Sequence, residues 1–218
     1  MIIKWLGHAS FCISLQNGTK ILTDPYEAGF RGIINYSPIK EAADIVTVSH
    51  EHGDHNHVAG LPGKPEVVRG AGAQQAGGIE FTGIASYHDK VNGNERGPNT
   101  IFCFVGDDLR VCHLGDLGHA LSDEQISALG DIDILLIPTG GPAATMELDE
   151  ARELCQKVRP KVIVPMHFKN DKCSFPPYGV EDFIAGMNNV KMVNAFEVEL
   201  TKENLPETTQ IMVLDHAL

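Results

Sequence analysis

Short apolar segments of strand length dominate the first half of the chain. They cover Ile2 to Leu6, Phe11 to Leu15 and Lys20 to Thr23, and Asn17-Gly18 lies between the last two. Asn-Gly between two such segments is a strong hairpin signal, because both residues tolerate the positive φ angles of a tight type I′ turn. The pattern therefore predicts antiparallel strands at the start of the chain.

Two further apolar segments stop at histidines. The β-branched segment Ile45 to Val48 ends just before the polar segment His50 to His57, and Ile79 to Tyr87 ends just before His88. A short apolar run bounded in this way is typical of a buried strand. We expect each strand to deliver a functional loop.

The second half alternates strands with helices. Thr100 to Val105 and Leu109 to Leu114 flank a polar turn and predict a hairpin, whereas Ser122 with Gln125 three residues later is a capping-box pattern. The predicted helices are Ser122 to Leu129, Glu147 to Val158 and Val180 to Met187, and the predicted buried strands are Ile132 to Ile137 and Val162 to Val164. The whole pattern predicts one α+β domain, residues 1–218, in which two sheets pack together with helices outside.

Composition narrows the range of partners. The chain has 17 basic and 29 acidic residues, a formal net charge of −12, and no basic cluster. Nucleic acids and anionic membranes are bound largely through clustered Lys and Arg, so we expect neither as a partner. A small-molecule substrate is expected instead, and a homo-oligomer is compatible with the sequence.

The five cysteines are widely spaced and form no Cys-x-x-Cys pair. Neither a disulfide framework nor a thiolate zinc site is indicated, so we expect buried or free thiols. The N-terminus lacks the pattern of a signal peptide, and no apolar run approaches the roughly 20 residues that a membrane span needs. These features predict a cytoplasmic protein.

The segment His50-Glu51-His52-Gly53-Asp54-His55 concentrates metal-binding side chains. Imidazole suits zinc, iron, manganese or nickel, and a carboxylate adds a harder oxygen ligand. In an extended chain His50 and His52 point the same way, while a turn at Gly53 can aim Asp54 and His55 at a second position. The segment therefore predicts two neighbouring metal positions, completed by residues from other strand ends.

Three residues at later strand ends are candidates to complete the site: His88, Asp116 and His167. His113 competes with His88 because it lies on the same segment as Asp116. In a regular strand, however, His113 and Asp116 point to opposite faces. His88 is therefore preferred, and His113 is expected to be a core or supporting histidine.

This order of motifs resembles the metallo-β-lactamase superfamily over about residues 1 to 167. The segments Leu6-Gly7-His8-Ala9-Ser10 and Thr23-Asp24-Pro25 are similar to one branch, which includes ascorbate-6-phosphate lactonase-like proteins and other metal-dependent hydrolases. The resemblance implies the fold of that superfamily, a four-layer αβ/βα sandwich of two packed mixed β-sheets with helices on the outer faces.

The resemblance also implies the ligands. It assigns a first metal to His50, His52 and His88, a second metal to Asp54, His55 and His167, and the bridge between them to Asp116. Two cations about 3.5–4 Å apart repel each other, and a shared carboxylate reduces this repulsion. Two divalent ions are implied, zinc first, with manganese, iron or nickel as alternatives. A metal-bridged hydroxide would attack the substrate, oriented by Asp54.

For each of the other polar residues near the predicted site, the sequence allows two alternative roles. His8 either contacts substrate from the pocket wall or braces a ligand, and it could equally be a turn histidine. His119 either donates a proton to the leaving group or lies in a solvent-exposed loop. Asp24 either orients a ligand-bearing loop or only forms a turn before Pro25. Arg96 and Asn99 either hold an anionic substrate or solvate a loop.

These observations predict an enzyme, a metal-dependent hydrolase that opens a small-molecule lactone, ester or phosphodiester. The alternatives are a phosphodiesterase or nuclease of the same superfamily, or a non-hydrolytic iron-binding redox or metal-sensing protein. The sequence does not identify the substrate, because a fold alone does not fix function.

Overall fold

The computed structural model describes residues 1–142 and 145–218. Its strands are β1 (Ile2–Gly7), β2 (Ser10–Ser14), β3 (Lys20–Thr23), β4 (Ile45–Val48), β5 (Glu66–Arg69), β6 (Gly72–Ala76), β7 (Ile79–Tyr87), β8 (Pro98–Gly106), β9 (Leu109–His113), β10 (Ile134–Pro138), β11 (Val162–Met166), β12 (Val190–Met192), β13 (Glu197–Glu199) and β14 (Gln210–Val213). Its α-helices are α1 (Asp123–Leu129), α2 (Leu148–Val158) and α3 (Val180–Ile184).

The strands form two mixed sheets, as the sequence predicts. The first sheet has the order β13-β1-β2-β3-β4-β5, and the second has the order β12-β14-β11-β10-β9-β8-β7-β6. β1, β2 and β3 pair antiparallel, whereas β3, β4 and β5 pair parallel. The predicted hairpin between β2 and β3 is confirmed, and so is the hairpin of β8 and β9.

Side-chain alternation gives the first sheet two apolar faces. Ile21 and Ile45 belong to a large buried cluster, while their neighbours Leu22 and Val46 belong to a second, smaller one. This follows from the period of two in a strand, which sends successive side chains to opposite faces. The sheet is therefore buried on both sides.

The large cluster fills the space between the sheets and extends to the other face of the second sheet, because the successive residues Ile134 to Ile137 of β10 all belong to it. It receives the apolar side of α2 through Ala151, Leu154 and Cys155. The smaller cluster is closed by the irregular segment that follows β3, through Tyr26, Ile34, Tyr36 and Ile39. Among the described residues the α-helices all follow Ser122, so this loop covers the outer face of the first sheet.

The helix starts agree with the local sequence. Ser122 accepts a hydrogen bond from the backbone N–H of Gln125, and the Gln125 side chain accepts one from the backbone N–H of Ser122, which completes the predicted capping box. α3 is shorter than predicted and ends before Gly186, which has a φ of 74°. Within the described ranges, no helix has both the length and the apolar character needed to cross a bilayer.

Five strands were not predicted from the sequence pattern. β5 and β6 lie at sheet edges and are mostly exposed, so they carry little apolar alternation. β12 and β13 are three residues long and also lie at edges. β14 could have been predicted from the sequence, because Ile211, Met212 and Val213 form a continuous apolar segment, which is buried in the structure.

The cysteine expectation is partly wrong. Cys103 and Cys112 face each other in register across β8 and β9 and are joined as a disulfide. Sequence spacing did not reveal this pair, because the hairpin register decides which residues are opposite. Cys12, Cys155 and Cys173 are free and buried, as expected.

Candidate metal centre

Chemically active side chains follow the carboxyl ends of six strands. β1, β3 and β4 come from the first sheet, and β7, β9 and β11 come from the second. The residues just beyond these strands are His8, Asp24, His50, His88, Asp116 and His167. The topology thus collects residues far apart in sequence at one edge of the sandwich.

Unusual backbone angles mark three of these strand ends. His8, Asp24 and His167 have φ angles of 52°, 38° and 53°. The left-handed region is uncommon for residues other than glycine, and it persists where the surrounding structure requires it. The backbone N–H of His167 also donates to the carbonyl of His8, at 3.1 Å, which joins the ends of β1 and β11.

The first group of potential ligands is His50, His52 and His88. One nitrogen from each lies within 4.8 Å of the others, and the ring centroids of His50 and His88 are 4.8 Å apart. His50 and His88 are buried, while His52 is exposed toward solvent. The Nε2 of His50 is buried without a hydrogen-bond partner. This group matches the first metal position that the resemblance implies.

The second group contains His8, Asp54, His55 and His167, whose ligand atoms also lie within 4.8 Å of one another. The Nε2 of His8 is 3.3 Å from Asp54 Oδ2 and 3.2 Å from His55 Nε2. Both ring nitrogens of His167 are buried without a hydrogen-bond partner. The structure therefore brings together the three expected residues and adds His8 to them.

Asp116 lies between the two groups. Its Oδ2 is 3.0 Å from His88 Nε2 in the first group, and 3.2 Å from the Nε2 atoms of both His55 and His167 in the second. Its Oδ1 is buried without a partner. One carboxylate thus faces imidazoles from both groups, which is the position of a bridging ligand.

These buried atoms without partners are a test of whether metals fit the site. An imidazole nitrogen or carboxylate oxygen removed from water is costly unless a partner compensates it. Two divalent cations, one in each group, would supply partners to His50 Nε2, His167 Nε2 and Asp116 Oδ1. The donor set, imidazoles with two carboxylates, suits zinc, manganese, iron or nickel. The residues therefore fit a pair of divalent metals.

The pKa directions agree with a ligating role. Burial, with the coulombic effect of His167, lowers the pKa of His8 to about 3. Burial and the charge of His55 lower the pKa of His50 well below its ordinary value. Both imidazoles are neutral at pH 7, which is the form that binds metals. Burial raises the pKa of Asp116, but His167 and His55 outweigh burial and hold it well below its usual range.

His55 is the exception among the imidazoles. Burial lowers its pKa, but Asp116 and Asp54 reverse the effect and raise it well above the ordinary value. A proton on His55 thus balances two buried carboxylates. A metal cation would take over the same task.

Asp24 supports both groups from behind. Its Oδ1 accepts the backbone N–H of Ser49 at 2.8 Å, and its Oδ2 accepts the Ser49 hydroxyl at 2.5 Å and His55 Nδ1–H at 3.0 Å. The Ser49 hydroxyl in turn accepts Nδ1–H of His50 at 2.9 Å. Both imidazoles are therefore turned with Nε2 toward the cluster. This is the orienting role considered for Asp24, and Ser49 is a member of the network that the sequence analysis missed.

Asn99 has neither of the two roles considered from the sequence. It is buried, and its amide donates to Ser86 Oγ and to the carbonyl of Leu114 at 2.8 and 3.0 Å. Its Oδ1 accepts the backbone N–H of Asp116 at 3.0 Å. Asn99 therefore fixes the turn that carries Asp116.

A close approach of two loops fixes His88 relative to Asp116. The backbone N–H of Gly118 donates to the carbonyl of Tyr87 at 3.0 Å. A Cβ atom on Gly118 would lie 2.4 Å from the carbonyl carbon of His88. Only glycine allows this separation, so Gly118 brings the ends of β7 and β9 together.

Two of the histidines that the sequence analysis considered lie elsewhere. His113 is buried, with Nε2 at 2.8 Å from the carbonyl of Ala9 and Nδ1 accepting the backbone N–H of Gly115, so the structure places His88 and not His113 in the first group. His119 accepts the backbone N–H of Tyr87 through Nε2 and donates to its neighbour's carbonyl through Nδ1. It lines a different hollow from the one above the cluster and is not brought to it.

A cavity of about 450 Å³ opens above the cluster. His52, Asp54, His88 and Asp116 form its floor, and its walls are Phe30, Arg31, Ile33, Glu51, Gly53, Arg96 and Phe175. Arg96 thus lines the cavity, which a residue that holds an anionic substrate would have to do. His8 does not line the cavity and lies behind Asp54 and His55. The wall residues from 30 to 33 come from an irregular segment without periodicity, and no sequence signal identified them.

Comparison with known proteins is consistent with this geometry. The family model described as "Beta-lactamase superfamily domain" matches residues 2–167, which include all the residues of both groups and Asp116. A protein of Staphylothermus marinus named "UPF0173 metal-dependent hydrolase" is 31% identical over 195 residues, with 77% of this chain and 83% of that protein covered. A protein of the same name from Hyperthermus butylicus is 28% identical, with 76% and 82% covered.

A solved structure is similar over almost the whole chain. A Thermotoga maritima protein, assigned to the zinc-dependent hydrolases of the metallo-β-lactamase superfamily, is 32% identical. It superposes with a TM-score of 0.80, covering 98% of this chain and 97% of that one.

Proposed function

The chain belongs to the metallo-β-lactamase superfamily of metal-dependent hydrolases, and we propose that it uses two divalent metals to hydrolyse a small-molecule lactone, ester or phosphodiester. The branch with ascorbate-6-phosphate lactonase-like proteins is part of this proposal, on the segments around His8 and Asp24. Zinc is the proposed metal, with manganese, iron or nickel as alternatives.

The position of Asp116 is the observation that carries the dinuclear part of the proposal. Its Oδ2 lies 3.0–3.2 Å from imidazole nitrogens of both groups. A site that binds one metal does not require a carboxylate between two separate sets of ligands. His50, His52 and His88 would hold the first metal, and Asp54, His55 and His167 the second.

When bound, the metals would supply Lewis-acid polarisation of the substrate oxygen and would lower the pKa of a coordinated water from 15.7 toward about 7. Asp54 is the chain's own group at the reacting face. Its Oδ2 is turned toward His8, at 3.3 Å, which leaves Oδ1 to accept a proton from the attacking water.

The reaction that fits this arrangement is simple hydrolysis. The water oxygen forms a bond to the acyl carbon or phosphorus, the bond to the leaving oxygen breaks, and the proton taken by Asp54 ends on the leaving alcohol. His119 has no part in this scheme because the cavity does not include it. A volume of about 450 Å³ accommodates a metabolite-sized substrate.

The test combines metal content with turnover. Protein purified without chelator should contain two equivalents of metal by mass spectrometry, and it should hydrolyse at least one of a panel of lactones, aryl phosphodiesters and thioesters. Asp54→Ala and His52→Ala should each reduce kcat/KM by about 10²–10⁴-fold, because each removes a group at the reacting face.

Asp108→Asn is the matched control, because Asp108 is exposed in the β8–β9 turn. It should retain metal and activity. Two bound metals without turnover of any panel member above the Asp54→Ala background would count against hydrolysis. One equivalent of iron would instead favour the redox alternative.

A further inference from the structure

The two groups of potential ligands and Asp116 are together called the metal cluster here. The cavity above this cluster is lined by cationic side chains, although the protein as a whole is acidic. The chain carries a net charge of −12, yet two arginines, Arg31 and Arg96, line the cavity. Two of its carboxylates, Asp54 and Asp116, belong to the metal cluster. The third is Glu51, whose oxygens are engaged by Arg69 and by Asn56 Nδ2.

Neither cavity arginine has an acidic partner. Within residues 1–142 and 145–218, no carboxylate lies within 4.0 Å of the guanidinium of Arg31 or Arg96. Among the described lysines and arginines, only Lys4, Arg69, Lys90 and Arg152 have a carboxylate within 4.0 Å of their cationic group, so what distinguishes Arg31 and Arg96 is that both line the same cavity. Two guanidinium groups that line one cavity, without a carboxylate partner among the described residues, are available to bind an acidic group of a ligand.

The backbone holds Arg31 in a particular place. Arg31 has φ 50° and ψ 16° inside the short 3-10 turn Phe30–Gly32, a left-handed conformation that is rare for a long side chain. Its guanidinium carbon lies 5.1 Å from the centroid of the Phe30 ring. Such strain is typical of functional loops whose surroundings fix the conformation.

Phe30 ties this turn to the metal-binding loop. A Cβ atom on Gly53 would lie 2.5 Å from Phe30 Cε2, so the ring packs directly against the backbone between His52 and Asp54. The backbone N–H of Glu27 also donates to the carbonyl of Gly53 at 3.1 Å. The Arg31 turn is therefore positioned by the same segment that provides the metal ligands.

Arg96 is held in place by a different loop, the one that follows His88. Asp89, next to His88, accepts backbone N–H groups of Val91, Gly93, Glu95 and Arg96 at 2.8–3.0 Å. The guanidinium Nη1 donates to the carbonyl of Pro142 at 3.4 Å, which leaves its other N–H groups available. The loop that presents Arg96 is therefore attached to a metal ligand through Asp89.

The remaining walls are apolar. Ile33 and Phe175 line the cavity together with the Phe30 ring. Phe175 also packs edge-on against His167, with ring centroids 5.5 Å apart. The cavity thus combines two cationic groups with a hydrocarbon surface near the reacting face.

We propose that Arg31 and Arg96 select an anionic substrate, a small ester or lactone that bears a carboxylate or phosphate group separate from the bond to be cleaved. This inference rests on the proposed function and specifies its substrate class. The acid group binds the guanidinium groups, the carbon skeleton packs against Phe30, Ile33 and Phe175, and the scissile group lies over the metal cluster. Carboxylate and phosphate share the chemistry that a guanidinium fork recognises.

The kinetic test compares two esters of similar length with the metal-loaded protein. These are para-nitrophenyl butyrate, which is neutral, and mono-para-nitrophenyl glutarate, which bears a terminal carboxylate. The wild type should favour the anionic ester by about ten-fold or more in kcat/KM, since a charge-assisted hydrogen bond contributes at least that factor. Arg31→Asn and Arg96→Gln should each remove most of this preference through KM, with little change for the neutral ester.

The variants are chosen to preserve the fold. Asparagine tolerates the left-handed angles of residue 31, and Lys191→Gln removes a positive charge on β12, at the far edge of the second sheet. Lys191→Gln should leave the preference unchanged, and all variants should retain the metal content of the wild type. An equal loss for both esters in Arg31→Asn and Arg96→Gln, or no preference in the wild type, would overturn the proposal.

A binding experiment distinguishes a failure of this inference from a failure of the proposed function. Inorganic phosphate and glutarate are titrated calorimetrically into the metal-loaded wild type and into the Arg31→Asn, Arg96→Gln double variant. At least ten-fold weaker binding of either anion to the double variant supports anion recognition even if no ester is hydrolysed, and the tighter anion identifies the preferred acid group. Equal binding of both anions by the two proteins would overturn the inference, even where hydrolysis is found.

Discussion

Asp24 lies behind the metal cluster and yet determines how two of its imidazoles point. Its two oxygens accept hydrogen bonds from the Ser49 backbone, the Ser49 hydroxyl and His55 Nδ1. Burial raises its pKa, but nearby His113 and the bond from His55 outweigh burial and lower it, so the carboxylate stays ionised. Orientation by such a carboxylate increases the basicity of the ligand it holds.

Asp24→Asn should therefore weaken metal binding without unfolding the protein. An asparagine amide would place its NH₂ group against one of the donors that Asp24 accepts. We expect metal affinity to fall by about 10–100-fold. Competition with a chromophoric chelator measures this change, with the exposed Asp108→Asn as control. Equal affinities for the two variants would show that Asp24 only forms a turn.

At the level of elements, the β8–β9 hairpin sets the position of Asp116. The strands pair Cys103 directly with Cys112, and β9 then continues into the turn that Asn99 and Gly118 fix. A crosslink in this hairpin stabilises the strand that leads to Asp116. The effect is mainly on the unfolded chain, whose freedom the crosslink reduces.

Unfolding without reductant should therefore release three reactive thiols per chain, from Cys12, Cys155 and Cys173, rather than five. The native protein should react slowly, since these residues are buried and burial raises the pKa of the Cys155 thiol to about 12. The double variant Cys103→Ser, Cys112→Ser should lose about 2–3 kcal/mol of unfolding free energy. Five thiols in the oxidised preparation would contradict the pairing.

The whole molecule assembles its site from both sheets, so metal binding should stabilise the entire domain. The strand ends of β1, β3 and β4 meet those of β7, β9 and β11 only in the folded state. Ligands that bind only the folded state add free energy of unfolding in proportion to the logarithm of their concentration. Stability and metal binding are therefore linked here.

Removal of metal with a chelator should lower Tm while the circular dichroism at low temperature stays unchanged. At a free metal concentration about 1,000 times Kd the stabilisation is about 4 kcal/mol, which corresponds to roughly 8–16 °C for a chain of this size. Differential scanning calorimetry with and without added zinc measures the shift. The fold persists because the apolar cluster between the sheets does not involve the metal ligands. A Tm that is insensitive to chelator would contradict the linkage.

Local patterns in the sequence predicted most strands and helices because a buried strand or an amphipathic helix repeats its apolar residues with a fixed period. They also predicted the histidine segment from His50 to His55, and the strand ends at His88, Asp116 and His167. The edge strands β5, β6, β12 and β13 were not predicted because they are short and most of their side chains are at least partly exposed, so they carry little apolar alternation.

By itself, therefore, the sequence determined which imidazole and carboxylate side chains are candidate ligands, their order and the strands that they follow, since these depend on neighbours along the chain. Only the tertiary structure decided that His8 joins the second group, that His88 and not His113 joins the first, and that Cys103 faces Cys112. It also placed both Arg31 and Arg96 in the lining of one cavity. Such choices depend on sheet register and on contacts between distant loops, which carry no periodic signal in the sequence.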